Sequence, residues 1–196
     1  DGGQLGPTER ISVDSSEAQI AGWSRPLSNN AVSGDGRYVV FSADAAIDGA
    51  HPGNLEDVFI RDRGAGTTAL LSKFSNGTPF TTSSDQASIS PNARYVVFRS
   101  FQTGAGIGSS RIFLRDRQLG TTSNIATPPT ATVCEEPHVS DDADIVMQCS
   151  SSLGGVQQQA WFRRGSDGAT FRLSSTPMLA DGNGGAGNLT DLSDNG

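Results

Sequence analysis

Groups able to perform acid–base or nucleophilic chemistry are sparse in this chain of 196 residues. It has two histidines, His51 and His138, and neither a Gly-x-Ser-x-Gly elbow nor a His-Glu-x-x-His pair. A hydrolase needs such a base beside its nucleophile or its metal. We therefore predict no enzymatic activity and interpret His51 as a solvated loop residue. His138 lies on a predicted strand and is kept as a residue that could contact a partner.

The two cysteines, Cys134 and Cys149, could form a disulfide. If Asp141 and Asp142 make a two-residue hairpin turn, the antiparallel register places the two cysteines directly opposite each other. Side chains approach closely enough for a disulfide where such a pair lies at a non-hydrogen-bonded site. Two buried free thiols remain the alternative, and a disulfide would indicate an oxidising compartment.

Two acidic loops, 44–57 and 181–194, could supply oxygen ligands to calcium. Neither loop matches the twelve-residue calcium loop with its terminal Glu, so turn and capping roles for the Asp side chains are the alternative. The segment 182–187 matches Gly-x-Gly-x-x-Gly, but it opens no predicted helix and is interpreted as a loop. No cofactor is predicted, with calcium left open, and metal ligands are left unassigned.

The composition argues against several other functions. The formal net charge is −7, which disfavours binding to nucleic acid phosphates or to anionic lipid. No run of about 18 apolar residues occurs, so a membrane-spanning helix is excluded. With 24 Gly and 9 Pro, the chain has a composition typical of short strands joined by turns.

An internal repeat determines which elements position these residues. Residues 31–41 align with 88–98 in type and order, and 138–147 form a weaker copy. A truncated fourth copy occupies 191–196, so that one serine anchors each copy: Ser33, Ser90, Ser140 and Ser193. Spacings of about 50 residues are typical of repeats that stack on their neighbours.

A second repeated motif lies between these anchors. Residues 58–63, 112–117 and 160–165 alternate apolar and polar types, and a glycine-containing turn and another polar strand follow each of them. Each unit is therefore predicted to contain four strands, the pattern of a β-propeller blade. We predict an all-β propeller of four-stranded antiparallel blades in a single domain, 1–196. Its blade repeats lie at about 30–73, 86–126 and 136–175, with partial blade strands at 5–14 and 187–196.

The motif Ser-x-Asp-Gly-Arg-Tyr-Val-Val-Phe, followed by Asp-Val-Phe-Ile-Arg-Asp-Arg and Gly-Thr-Thr, resembles the WD40-like PD40 repeats of TolB-type β-propellers. The resemblance covers nearly the whole chain and is strongest in the first two units. In the third unit, Arg164 and Gly165 replace the Asp-Arg pair. Membership of this family implies a bacterial periplasmic or secreted protein that makes protein–protein contacts.

The predicted function is a non-catalytic binding or scaffold propeller outside the cytoplasm, with a protein partner and with Trp23 and His138 as contact residues. Two alternatives stay open. One is a structural subunit whose open blade edges associate with copies or with a larger complex, and the other is a carbohydrate-binding or enzyme-associated propeller. Three blades do not close a ring of four to eight, so we expect a segment of a longer protein, or completion by copies or partner strands.

Overall fold

The fold is a stack of three antiparallel sheets. A computed structural model describes residues 8–26, 30–47, 55–102, 110–125, 128, 131–151 and 158–173. In these residues the secondary structure consists of twelve β-strands without a helix, and each group of four consecutive strands forms one sheet in chain order. The prediction of an all-β fold with four-stranded antiparallel blades is therefore confirmed.

The strand bounds follow the repeat. Blade 1 contains β1 (Ser24–Arg25), β2 (Tyr38–Ala43), β3 (Asp57–Asp62) and β4 (Thr67–Leu70). Blade 2 contains β5 (Ser84–Ile89), β6 (Tyr95–Ser100), β7 (Arg111–Asp116) and β8 (Thr121–Ile125). Blade 3 contains β9 (Ala131–Val139), β10 (Ile145–Ser151), β11 (Gln158–Arg163) and β12 (Thr170–Arg172).

The apolar positions of the strands form the cores between neighbouring blades. Between blades 1 and 2, a cluster that includes Val40, Phe98 and Phe113 is joined by Phe80 from the segment linking the two blades. The Phe80 ring lies 4.8 Å from that of Phe113, centroid to centroid. Stacking buries both faces of the central sheet, which a single sheet could not do alone.

A serine turn joins the first two strands of a blade. The Ser33 hydroxyl donates to Asp35 Oδ1 (2.6 Å) and accepts from the Tyr38 amide (3.0 Å). The same hydroxyl bonds recur in blade 2, where Ser90 donates to Asn92 Oδ1 (2.8 Å). The anchors Ser33 and Ser90 are therefore explained by the structure of the turn, in which the serine hydroxyl bonds a backbone amide that has no backbone partner there.

The hairpin between β9 and β10 differs from the predicted two-residue turn. The Ser140 amide donates to the Asp144 carbonyl (3.0 Å), so three residues, 141–143, form the loop. A β-bulge then shifts the register by one residue between Val146 and Gln148. The two departures compensate each other, because a longer turn and a bulged strand together restore the facing pair.

The blade edges also differ in detail from the expected bounds. Residues 8–12 form no strand, and Val13 makes an isolated bridge with Gln19. The second partial strand, 187–196, lies outside the described residues. The described part of the chain contains no helix that is long and apolar enough to cross a membrane.

Candidate functional site

The repeated Arg-Asp-Arg motif stabilises turns. Asp62 Oδ1 accepts from the amides of Gly64 (2.9 Å) and Ala65 (3.0 Å), and both carboxylate oxygens accept from Arg37. Asp116 repeats the arrangement with Arg94 in blade 2. Each aspartate thus accepts from turn amides and from an arginine of the preceding strand pair, so the motif forms part of the scaffold.

Polar side chains gather at one end of the blades, the end at which the first and third strands of each blade begin. We call this end the cluster end. An ion pair links blade 2 to blade 3, and the Arg25–Glu56 pair of blade 1 lies beside it, where the Glu56 carbonyl accepts from the Ser84 amide at 2.7 Å. We call this group of side chains the polar cluster, and its members are Arg25, Glu56, Asp85, Arg99, Glu135 and Gln158.

Arg99 holds the centre of the polar cluster. Its guanidinium donates to both oxygens of Asp85, at 2.7 and 2.5 Å, and to Glu135 Oε2 in blade 3, at 3.2 Å. Gln158 donates to the other carboxylate oxygen of Glu135. Because the Arg99 side chain is only 17% exposed, these charge-assisted bonds are formed in a partly desolvated site and join blade 2 firmly to blade 3.

On the blade 1 side of the polar cluster, the carboxylate charge is less well neutralised by arginine. Glu56 accepts from Arg25 at 3.4 Å, which is long for an ion pair. Burial, and then the negative charge of Asp85, raise the pKa of Glu56 above its ordinary value. Burial lowers the pKa of Arg99, but its bonds and attraction to Asp85 outweigh burial and raise it. In total, the polar cluster contains three carboxylate groups and only two guanidinium groups.

Two exposed aromatic side chains lie beside the polar cluster. Trp23 precedes β1 and is 43% exposed, and Phe101 follows β6 and is 41% exposed. The Arg25 guanidinium carbon lies 4.7 Å from the Trp23 ring centroid, and that of Arg99 lies 5.3 Å from the Phe101 ring. Exposed aromatic rings next to arginine are the side-chain types enriched at protein interfaces.

Sequence analysis found Trp23 but missed Arg99 and Phe101. Their signal is a departure from the repeat, since aligning the first two copies places Arg99 at Ser42 and Phe101 at Asp44. A charged residue inside a strand and an aromatic residue in an otherwise polar loop are both unusual, and together they mark this edge of blade 2.

His138 does not join this site. It lies on β9 opposite Val146 and is 3% exposed. A side chain buried to this degree cannot meet a partner at the surface, so the interpretation of His138 as a contact residue does not fit the structure.

The cysteines are adjacent on the two inner strands of blade 3. Cys134 on β9 faces Cys149 on β10, and the structure joins them in a disulfide with a Cα–Cα distance of 4.1 Å. Both side chains are buried in the core between blades 2 and 3. The disulfide therefore lies behind the site and supports the strand that carries Glu135.

The inner strands also carry two residues in the left-handed backbone region. Gln86 on β5 has φ 51° and Glu136 on β9 has φ 49°, and each lies at a bulge in its strand. The Gln86 side-chain oxygen accepts from the Glu136 amide at 2.8 Å. Non-glycine residues are strained in this conformation. The bond between Gln86 and Glu136 holds the bulges of the two blades next to each other, beside Asp85 and Glu135.

The calcium prediction finds no ligand cluster among the described residues. At the ends of the first acidic loop, Asp44 accepts from the Trp23 amide (2.8 Å) and Asp57 accepts from the Ser72 hydroxyl (2.7 Å). Residues 48–54 of that loop, the second loop at 181–194 and the glycine-rich segment 182–187 lie outside the described residues. Calcium binding remains a prediction.

No protein-family model matches this sequence, and neither does any curated protein. Solved structures do match. TolB from Acinetobacter baumannii is 16% identical, with a TM-score of 0.50 over 76% of this chain and 34% of that chain. The putative TolB from Agrobacterium tumefaciens is 15% identical, with a TM-score of 0.51 over 74% of this chain and 47% of that chain. The β-propeller domain of the Trilobed protease from Pyrococcus furiosus is 11% identical, with a TM-score of 0.49 over 77% and 42%.

These likenesses define the fold. The chain is built from β-propeller blades similar to those of TolB, so the resemblance read from the repeats is confirmed for the architecture. The chain spans about a third to a half of the length of the TolB structures that it matches. At this level of identity, function has to be argued from the site itself.

Proposed function

We propose that this chain is a non-catalytic binding propeller that contacts a protein partner through its cluster end. The observation that carries the proposal is the pair of exposed aromatic rings, Trp23 and Phe101, each beside an arginine of the polar cluster. Interface hot spots are enriched in tryptophan and arginine and are held by rigid neighbours. The bonds of Arg99 to two blades provide such rigidity.

The proposal places the protein outside the cytoplasm, in the periplasm or secreted. A buried disulfide between Cys134 and Cys149 supports this, because disulfides persist in oxidising compartments. The fold likeness to TolB supports it as well, since the TolB-type resemblance implies a bacterial periplasmic or secreted protein.

The carboxylates of the polar cluster support binding better than catalysis. Both carboxylate oxygens of Asp85 and one of Glu135 accept hydrogen bonds from Arg99, so these groups are engaged in holding the site together. Glu56 has a raised pKa, but the described residues place no nucleophile against it. A structural subunit is the second candidate, favoured by the apolar side chains exposed on the outer face of blade 3, Phe171 and Leu173.

A peptide selection tests the binding proposal without knowledge of the partner. Phage-displayed random peptides are selected on the immobilised chain, and the enriched peptides are measured against Trp23→Ala and Phe101→Ala by biolayer interferometry. Loss of an aromatic hot spot should weaken binding about tenfold or more. Circular dichroism spectra verify that both variants keep the fold.

Leu119→Ser is the matched control, because Leu119 is 67% exposed and lies in the turn between β7 and β8 at the other end of the blades. It should leave peptide binding unchanged. Selected peptides that bind both aromatic variants as well as the unaltered chain, or that lose binding only in Leu119→Ser, would contradict the assignment of the cluster end.

A further inference from the structure

Two hairpins of the chain have the same backbone geometry. Each is closed by an isolated bridge, one over residues 13–19 and the other over 73–79. Each has one residue in the left-handed region at the fifth position, which is Glu17 with φ 66° in the first hairpin and Gly77 with φ 88° in the second. The hairpins can therefore be compared residue by residue.

Both hairpins pack on the outer strands of a blade through the same hydrogen bonds. In blade 1, the Thr68 hydroxyl donates to the Val13 carbonyl at 2.7 Å. In blade 2, the Thr122 hydroxyl donates to the Lys73 carbonyl, also at 2.7 Å. Because the residues around the two hairpins occupy equivalent positions, a change of side-chain type at one position changes the charge or the hydrogen bonding at that point.

An arginine lies under each hairpin, and only the first has a carboxylate partner. Arg61 is buried, bonds to Thr68 and forms an ion pair with Glu17. The corresponding Arg115 donates to the Thr122 hydroxyl at 2.9 Å. Gly77 stands where Glu17 would supply the carboxylate, and none of the described residues replaces it as an ion-pair partner of Arg115.

The second hairpin adds another positive charge. Lys73 stands at the position of Val13, and the Thr122 hydroxyl that accepts from Arg115 donates to the Lys73 carbonyl, so a second cationic residue adjoins Arg115. Burial, and then the positive charge of Arg115, lower the pKa of Lys73, while burial lowers the pKa of Arg115. The neighbouring Asp116 offsets only part of this effect on Arg115, and its carboxylate is paired with Arg94. Two half-buried cations that form no ion pair among the described residues are unfavourable, and an anion between them would relieve both desolvation and repulsion.

We propose that Lys73 and Arg115 form a binding site for a carboxylate group, which Glu17 fills internally in blade 1 and which an external ligand fills in blade 2. The space is available, since no atom lies within 4 Å of a Cβ added at Gly77. Arginine and lysine together match a carboxylate through charge-assisted hydrogen bonds. The site uses none of the residues of the cluster end and does not depend on the proposed function.

Isothermal titration calorimetry at low ionic strength tests this site with two probes, a tetraglutamate peptide and sodium acetate. Gly77→Glu should restore the internal carboxylate of blade 1 and weaken binding of the probe at least about tenfold, as Lys73→Gln should by removing one charge. Gly77→Gln is the matched control, because it adds the same bulk at the same backbone angle without the charge, and it should keep binding within about threefold.

The two probes distinguish the sources of the carboxylate. Binding of the peptide alone assigns the site to an acidic segment of a macromolecule, whereas equal affinity for acetate assigns it to small carboxylates. Absence of saturable binding of both probes would overturn the proposal. So would equal loss in Gly77→Glu and Gly77→Gln, or equal binding of a tetraglutamine peptide.

Discussion

Asp62 shows how one repeated residue organises the end of a strand. It accepts two turn amides and two bonds from Arg37, and the Arg37 guanidinium holds the pKa of Asp62 well below its usual range. In blade 3 the charges are exchanged, with Asp144 at the place of Arg37 and Arg164 at that of Asp62. Asp144 accepts from the Gly165 amide instead, so the turn is still tied to the neighbouring strand.

Replacing this aspartate should weaken the fold in a pH-dependent way. We expect Asp62→Ala to lower the free energy of unfolding by about 1 kcal/mol at pH 7, a modest value because Arg37 is half exposed and its charge is screened. Since the folded pKa is depressed, the stabilisation is complete above the ordinary carboxyl pKa of about 4 and is lost as pH falls towards the folded pKa. Urea unfolding at several pH values measures the difference.

Asp167→Ala is the control for this prediction, because Asp167 pairs with Arg164 in a more exposed ion pair and should contribute less. A difference between Asp62→Ala and the unaltered chain that stays constant from neutral to acidic pH would contradict the role given to the Asp62 charge.

The element most constrained by a covalent bond is the β9–β10 hairpin. Its disulfide joins cysteines 15 residues apart in the sequence, and a loop of this length predicts about 3 kcal/mol of stabilisation through the unfolded state. We expect reductant to lower the free energy of unfolding by this amount in the unaltered chain. The double variant Cys134→Ala, Cys149→Ala should be less stable and insensitive to reductant. Denaturant titrations with and without reductant measure both effects, and intact mass reports the bond directly.

Free thiols in the folded, unreduced protein, detected by alkylation and mass spectrometry, would contradict the disulfide.

The register that places the two cysteines opposite each other shows the limits of prediction from sequence at the scale of the element. The hairpin and the facing cysteines followed from the spacing of the strands, but the longer turn and the bulge beyond Glu136 did not. This bulge is accompanied by a contact with the neighbouring blade, the bond from the Glu136 amide to the Gln86 side-chain oxygen, which local sequence does not encode.

The stack as a whole leaves apolar side chains exposed at both of its ends. On blade 1, Val32 is 49% exposed, and Val39 and Phe41 line a pocket of about 210 Å³. On blade 3, Phe171 is 43% and Leu173 is 53% exposed. The inner faces of the same sheets bury such residues against a neighbouring blade, so the outer faces are suited to contact another sheet.

The 196-residue chain should therefore associate with further copies as its concentration rises. We expect sedimentation velocity to show a concentration-dependent increase in mass, and the double variant Phe171→Ser, Leu173→Ser to reduce it. Leu119→Ser removes a more exposed apolar side chain, from a turn, and should leave association unchanged. A chain that stays monomeric at all accessible concentrations would contradict this prediction.

The sequence by itself determined the three blades, their four strands and the turns at Ser33 and Ser90, because alternation of apolar residues and turn chemistry are local properties that recur with the repeat. It also indicated that the blades must stack. The tertiary structure decided which groups meet across blades, including Arg99 with Glu135 and the Gln86 side chain with the Glu136 amide. These contacts depend on the register and rotation of one sheet against the next, and no periodicity within a single strand records them.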